Sequence, residues 1–312
     1  LLFINLRKNR FIMLVMNPIH LQTLLTIVDE GSFEDAAYVL GISPSAVSQR
    51  IKALEKTVGR LLLRRGTPVS ATEAGEVLMQ AARRMALLQA ETMANLKERI
   101  ATIPLSVAIN ADSLATWFPP VLARVASWDA VTLTLRIEDE SHSLNLLRRG
   151  DVLGAVTRDP HPAPGCDAIE LGTMRYVSVA NPWLLDKYTT DGQVDWEAMP
   201  ALRFGPRDGL QDEGLKTHVQ KTHHEPDNAQ PIMRRISQIP SAEAFTEATR
   251  VGLGWSLLPL QHAQPLLMSG DVVRLDDTIL DVPLYWHRWR LESPALEKLT
   301  TAVQTAAQTL QQ

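Results

Sequence analysis

Hydrophobic positions change their spacing along the chain, and each change marks a different kind of element. Between Gly31 and Glu55 they recur at helical intervals. Ala36, Ala37 and Leu40 form one stripe; Val47, Ile51 and Leu54, spaced by four and three, form a second. Ser32 precedes the first stripe as an N-cap, with Asp35 near the amides of the opening turn, and Gly41 stops it. Ser43 caps the next helix, and Pro44 takes its first position, where a missing N–H costs nothing. Ala36 and Ala37 are small enough to let the two helices cross closely. This predicts a helix-turn-helix, whose second helix enters the DNA major groove. Leu61, Leu62 and Leu63, followed by a turn at Gly66 and Pro68 and then Val69, predict a short hairpin. Behind a Thr72 cap, Ala74, Leu78, Ala81, Met85, Leu88 and Thr92 step by alternating fours and threes, a coiled-coil seam with a period near 3.5. No Pro or Gly interrupts Glu76 to Thr102. Pro104 ends the segment, which places a hinge near Ala101 to Pro104.

From Leu105 onward apolar runs alternate with helical patterns. Leu105–Ile109, Val131–Ile137, Val152–Val156 and Tyr176–Ala180 predict strands. Thr116–Ala126, Ser143–Arg149 and Ser241–Val251 predict helices. The alternation argues for an α/β domain with mainly parallel sheets.

Charge sharpens the reading of the N-terminal pattern. The chain carries a formal net charge of −4. Between Ser43 and Thr72, however, Glu55 is the only acid against Arg50, Lys52, Lys56, Arg60, Arg64 and Arg65. A basic segment on an acidic chain describes a confined DNA-binding surface. Off the apolar face of the second helix, Gln49 and the serines suit base edges, and Arg50, Lys52 and Lys56 suit phosphates. The DNA-contact candidates are Ser32, Ser43, Pro44, Ser45, Ser48, Gln49, Arg50, Lys52, Lys56, Arg64 and Arg65. Taken alone, the helix fits an ordinary amphipathic helix with a solvated polar face equally well; the caps, the turn and the basic segment that follows tip the balance.

The set Phe33, Ala36, Ala37, Leu40, the run Ser43 to Ser48, Ile51, Leu54, Glu55, Gly59, Leu61, Arg64, Thr72, Ala74 and Gly75 resembles the LysR-type transcriptional regulators. Leu62, where many relatives have Phe, and Ala71, where Leu is usual, depart from the pattern. The segment NADSLATW, Asn110 to Trp117, looks closest to the LysG/ArgP group of that family, which answers to basic amino acids. The resemblance implies an α+β multidomain chain: a winged helix-turn-helix with a long linker helix, then an α/β two-lobed effector domain of periplasmic-binding-protein type. It implies an N-terminal extension at 1–15, the DNA-binding domain at 16–74 and a dimerising linker helix and hinge at 75–103. The effector domain follows at 104–312, with lobe 1 at about 104–163 and 268–312, lobe 2 at about 164–267, and crossovers near 160–165 and 265–270. The hairpin becomes the wing, with Arg64 or Arg65 reaching the minor groove or the backbone.

Composition bounds the remainder. A 45% hydrophobic content across 312 residues suffices for a small and a larger core. The single Cys166 excludes an intrachain disulfide, fits a reducing cytoplasm and reads as an incidental residue rather than a nucleophile or redox sensor. No stretch is long enough to span a bilayer, so no membrane partner is expected. Residues before Met16 mix Arg7, Lys8 and Arg10 with a short apolar run and no small-residue cleavage site. They are set aside from the fold, with Met13 and Met16 as candidate starts. Gly252 and Gly254 lack the third glycine of a dinucleotide fingerprint. His218, His223 and His224 lack a cysteine partner and surround Lys221, so no metal is expected. No nucleophile elbow or Walker loop occurs, and no catalytic residue is assigned.

The effector candidates lie just beyond strand ends, where ligands bind in open α/β folds. They are Asp112, Ser113, Thr116 and Trp117 after the first strand; Glu138, Asp139 and Glu140 after the second; Thr157 and Asp159 after the third; and Ser241, capping a facing helix, with Glu243. Several carboxylates at one cleft select a cationic ligand, because buried charge must be paired; taken singly, each also fits a solvated loop. The expectation is a cytoplasmic regulator that needs no cofactor. It binds double-stranded DNA and answers to L-lysine, L-arginine or L-histidine; the LysR-type resemblance further implies a dimer or dimer of dimers that acts through RNA polymerase and activates an amino-acid exporter gene. The competing readings are a solute-binding protein without a DNA role and an amino-acid-processing enzyme.

Overall fold

The computed structural model describes residues 16–96, 102–139, 143–196, 198–206, 208–211, 213–214 and 235–311. Several sequence expectations lie outside the described residues: the extension before Met16, the hinge at Ala101, Glu140, and the histidines at 218, 223 and 224. Apart from residues 149–151, the chain divides into two compact units between residues 101 and 102.

The first unit opens with α1 (Pro18–Glu30), capped by Asn17, and α2 (Phe33–Leu40). The hydroxyl of Ser32 accepts the Asp35 N–H at 2.9 Å and donates to the Asp35 carboxylate at 2.6 Å. Gly41 turns left-handed at φ 63° and starts the tight turn into α3 (Pro44–Val58), capped by Ser43. The apolar stripes meet as expected: Ala36, Val47 and Leu54 are buried with Leu24 and Ile27 of α1. The hairpin pairs β1 (Leu63–Arg64) antiparallel with β2 (Ser70–Ala71), and Leu62 seals the core from below it. Thr72 caps α4 (Glu73–Asn95) by accepting the Gly75 N–H. This helix has two apolar sides. Leu78, Met79 and Ala82 join the core, while the C-terminal part of the expected seam, Met85, Leu88 and Thr92, is exposed.

In the second unit β3 (Ile103–Ile109) leads through α5 (Ala111–Ala115) and α6 (Pro119–Val125) to β4 (Val131–Ile137). Next come α7 (Ser143–Arg148), β5 (Gly154–Thr157), β6 (Cys166–Ala180) and α8 (Pro182–Lys187). A small hairpin, β7 (Thr189–Thr190) and β8 (Gln193–Val194), precedes β9 (Ala201–Arg203) and its parallel partner β10 (Ile236–Gln238). The chain finishes with α9 (Ala242–Arg250), β11 (Ser256–Pro259), α10 (Leu260–Ser269), β12 (Val273–Trp289), α11 (Pro294–Ala306) and a 3₁₀ segment at Ala307–Gln311.

Five expectations are corrected. The six-stranded sheet, in the order β11-β6-β12-β5-β3-β4, is mixed, not mainly parallel: only β3 runs parallel to its neighbours β4 and β5. Pro104 lies inside β3, beside Thr132 of β4, and not in a hinge. Proline is tolerated there because β5 pairs only with the far end of β3, so no strand needs the missing N–H. The helix expected over Thr116–Ala126 starts only at Pro119, where Pro119 and Pro120 can open a helix but not continue one, and a separate short helix at Ala111–Ala115 precedes it. The strand at Tyr176–Ala180 reaches back to Cys166, and the 17-residue β12 was not expected. Finally, the passage between the two halves of the sheet falls inside β6 and β12, not near 160–165 and 265–270. Cys166–Glu170 pair beside the segment of β12 that also holds β5, while Tyr176–Val179 lie between β12 and β11. At the change Gly172 takes φ 130° and β12 shifts register between Leu284 and Tyr285. A Cβ at Gly172 would meet the Leu310 backbone at 2.9 Å, so both conformation and space demand glycine.

Trp286, fully buried, donates its indole N–H to Thr300 of α11 and packs its six-membered ring against Gly154, where a Cβ would come within 2.1 Å of the ring. Gly154→Ala is therefore expected to destabilise the second unit by about 1–3 kcal/mol. Urea unfolding followed by tryptophan fluorescence checks this; an unchanged midpoint would refute the packing described.

Candidate functional site

The polar side of α3 is open to solvent at Ser43, Pro44, Ser45, Gln49, Lys52 and Lys56, and half-buried at Ser48 and Arg50. The Ser43 hydroxyl accepts the Ala46 N–H and lies 2.9 Å from that of Ser45, which leaves the start of the helix free of bulk. Arg50 is drawn inward: its guanidinium donates to the hydroxyl of buried Thr23 at 3.4 Å, tying α3 to α1. Glu55 accepts the Leu62 N–H at 2.9 Å, so the one acid of the basic segment anchors the entry to the hairpin. Arg64 and Arg65 are exposed at the hairpin tip. Ser32 is half-buried, with its hydroxyl engaged by Asp35, and serves α2 as a cap.

A cavity of about 390 Å³ opens in the second unit, a size suited to a small metabolite. The ends of β3 and β4 supply Asn110, Asp112, Glu138 and Asp139; β6 supplies Tyr176; the loop after β9 supplies Phe204, Asp208 and Gln211. Phe245 of α9 and Phe204 face each other at 6.4 Å between ring centres. Asp112, Glu138, Asp139 and Asp208 all line the cavity, and its described lining contains no Lys, Arg or His. Burial pushes the Asp112 carboxyl up to about 6, against a 2.9 Å hydrogen bond from the Tyr176 hydroxyl that lowers it, with the nearby charge of Asp208 adding to the rise. Burial also raises Asp208, although backbone N–H groups of Phe204 (2.8 Å) and Leu210 (3.1 Å) donate to it, and the charge of Asp139 reinforces the rise. Four acids on an acceptor-rich wall are arranged to take a cation.

Of the expected ligand residues, the cavity brings together Asp112, Glu138 and Asp139. The others with described positions do not line it. Ser113 and Trp117 are buried, and Thr116 donates its hydroxyl to the Asp112 carbonyl at 2.6 Å; the helix break takes 116 and 117 away from the stretch that faces the cavity. Thr157 is buried in the sheet opposite Tyr285. Asp159 turns back on its own loop, where the backbone N–H and ring of His161 hold its carboxyl below the usual range. Ser241 caps α9 through the Ala244 N–H, and Glu243 is exposed on the first turn. Sequence reasoning missed Tyr176, Asp208, Gln211 and the two phenylalanines. Asp208 carried a local signal, an acid followed by Gly-Leu-Gln at a helical turn it caps. Tyr176 carried none, since its partner is 64 residues away.

Among the described residues no group of three or more His, Cys, Asp or Glu forms a metal site, and no helix is long and apolar enough to cross a membrane. Cys166 is buried at the start of β6.

Residues 19–76 match the family described as bacterial regulatory helix-turn-helix protein, lysR family, and residues 103–308 match the LysR substrate binding domain. The chain is 63% identical over 292 residues to the lysine export transcriptional regulatory protein LysG of Corynebacterium efficiens, covering 94% of this chain and 98% of the relative. It is 38% identical over 290 residues to the transcriptional regulator ArgP of Pseudomonas aeruginosa, covering 90% and 92%. Full-length LysG from Corynebacterium glutamicum with bound effector Arg aligns at a TM-score of 0.74 and 58% identity, covering 95% of this chain and 100% of that one. ArgP from Mycobacterium tuberculosis aligns at 0.79 and 39%, covering 96% and 99%. These relatives are transcriptional regulators, not enzymes.

A cation held by Asp112 requires the ionised carboxylate. With the pKa near 6, affinity for a monocationic ligand is expected to be full at neutral pH and to fall about tenfold between about pH 7 and pH 5. The same raised pKa means that ionised Asp112 disfavours the fold above about 6, a burden relieved as the pH drops. Calorimetric titration across this range checks the first statement, and a flat profile would remove Asp112 from the charge-pairing role.

Proposed function

The chain belongs to the LysR family of bacterial transcriptional regulators, and on that premise we propose that it senses a basic amino acid and controls transcription of an exporter gene. The ligand, L-lysine, L-arginine or L-histidine, binds in the cavity of the second unit. The observation that carries this reading is the set of four carboxylates lining one cavity with no described cation among them. A cationic side chain gives this wall a second positive group to pair with besides the α-ammonium, which a neutral amino acid does not bring. The LysG relative with bound Arg and the lysine-export name of other LysG proteins support the same ligand class.

The DNA contacts are assigned to Ser43, Pro44, Ser45, Ser48, Gln49, Lys52 and Lys56, with Arg64 and Arg65 at the wing. Arg50 and Ser32 contribute by holding α3 and α2 in place. The exposed Met85, Leu88 and Thr92 side of α4 is where a second copy pairs, so that two recognition helices meet two half-sites. Effector binding shifts the balance between two arrangements of the protein on DNA, and through it RNA polymerase recruitment. The setting is the cytoplasm.

Gln49→Ala is expected to relax base choice while nonspecific affinity stays within about threefold, because Gln49 reads an edge and not a phosphate. Competition binding on operator and random duplexes measures both; equal losses on the two would contradict base reading. Asp112→Asn is expected to weaken L-arginine and L-lysine by about tenfold or more and leave DNA affinity unchanged. Calorimetry and a DNA mobility assay on the same variant decide this, and an unaltered ligand affinity would contradict the assignment.

A further inference from the structure

Two amide side chains in the cavity wall have hydrogen-bonding capacity that the protein does not meet. Gln211 is 2% exposed, and its Nε2 donates to the Leu257 carbonyl oxygen at 3.4 Å. That carbonyl sets the orientation of the amide, because the reverse would place oxygen against oxygen. Oε1 is then left buried with no partner. Asn110 is 6% exposed; it stands at the N-cap position of α5 without making a cap bond, and its Oδ1 is likewise buried and unpartnered. Both residues line the cavity with Asp112 and Asp208. A buried acceptor shielded from water and from protein donors is costly, and native proteins keep few of them without a purpose.

We infer that Gln211 and Asn110 are specificity-determining residues of this cavity, their amide oxygens accepting N–H groups of the ligand's cationic ends. The inference deepens the functional reading above and rests on it. The division of labour follows from geometry. Asp208 is already engaged by the backbone N–H groups of Phe204 and Leu210, and Asp112 by the Tyr176 hydroxyl. The carboxylates supply charge, and the amide oxygens supply directional acceptors that no donor of the protein has taken. Guanidinium and ammonium heads, with five and three donors respectively, fill both. A side chain of the same length ending in a methyl group leaves the oxygens orphaned, and sites built to bond a ligand polar group reject the analogue that lacks it.

The test uses the full-length chain and three ligands: L-arginine, L-lysine, and L-norleucine, which has lysine's side-chain carbons without the terminal amine. The unaltered protein is expected to bind lysine at least about tenfold more tightly than norleucine. Gln211→Leu is expected to weaken arginine and lysine about tenfold or more and to narrow the lysine-to-norleucine gap. Its thermal midpoint without ligand should not drop, since the substitution removes an orphan acceptor along with one long hydrogen bond. Gln211→Met, which keeps the length and flexibility of the side chain, should reproduce that pair of effects. Lysine and arginine affinities within about twofold of the unaltered protein in both variants would overturn the role of Gln211. So would an affinity loss that also lowers the thermal midpoint and spares the norleucine gap, the signature of a structural residue. No binding of arginine or lysine by the unaltered protein would instead overturn the functional reading on which the role depends.

Discussion

The pairing of β6 with β12 is the constraint on which the effector unit depends. Cys166–Ala180 runs antiparallel to Val273–Trp289 along nearly the whole of both strands. One half of this ribbon extends through β5 toward β3 and β4, and the other half carries β11. The cavity draws walls from both halves: Asn110, Asp112, Glu138 and Asp139 from the β3–β4 side, Leu257 and the loop after β9 from the other. Tyr176 stands on β6 itself and bonds Asp112 across the join. The bend needs a backbone conformation only glycine tolerates, at Gly172, and a register shift in the partner strand. The ladder thereby joins the two sides that carry the opposing acids.

Within that frame the cavity holds unfavourable electrostatics in place. Asp112 and Asp208 are both raised by burial, and each is raised further by a neighbouring acid. Tyr176 and the backbone N–H groups of Phe204 and Leu210 offset part of this and leave the rest standing. The unpartnered oxygens of Asn110 and Gln211 add to it. A site that is internally under-compensated gains more from a cationic, donor-rich ligand than a site already satisfied would. Sequestering those groups costs the fold stability, and the surrounding core of Trp286, Tyr176, Leu105 and Ile109 supplies the compensation.

The DNA-binding unit obeys a different logic, in which nearly every feature is local. Capping hydroxyls at Ser32, Ser43 and Thr72 start their helices, and a left-handed glycine ends α2. Two charges in its basic stretch have been turned to internal use, Arg50 toward Thr23 and Glu55 toward the Leu62 amide. With Glu55 half-buried and bonded in this way, the fully exposed charges between Ser43 and Thr72 are cations alone, on a chain whose net charge is −4. Shape and charge are thus both set by bonds that hold the recognition helix to its neighbours.

The linear chain specified the helix-turn-helix, the hairpin after it, the long helix, and β4 to the residue, because caps, turns and periodicity act over a few positions. It also placed Asp112, Glu138 and Asp139 at a common cleft, since strand ends are local features and converge in this kind of fold. The assembled fold was needed to show that β6 and β12 are long antiparallel partners, that two short helices stand before and after Thr116–Phe118, and that Ser113, Trp117, Asp159 and Ser241 stand off the cavity wall. It alone brought Tyr176, Asp208 and Gln211 to the site. Their roles depend on contacts across tens of residues, 64 in the case of Tyr176 with Asp112 and 46 for Gln211 with Leu257. Such contacts follow from strand register, and register is a property of the assembled sheet that no local window of sequence contains.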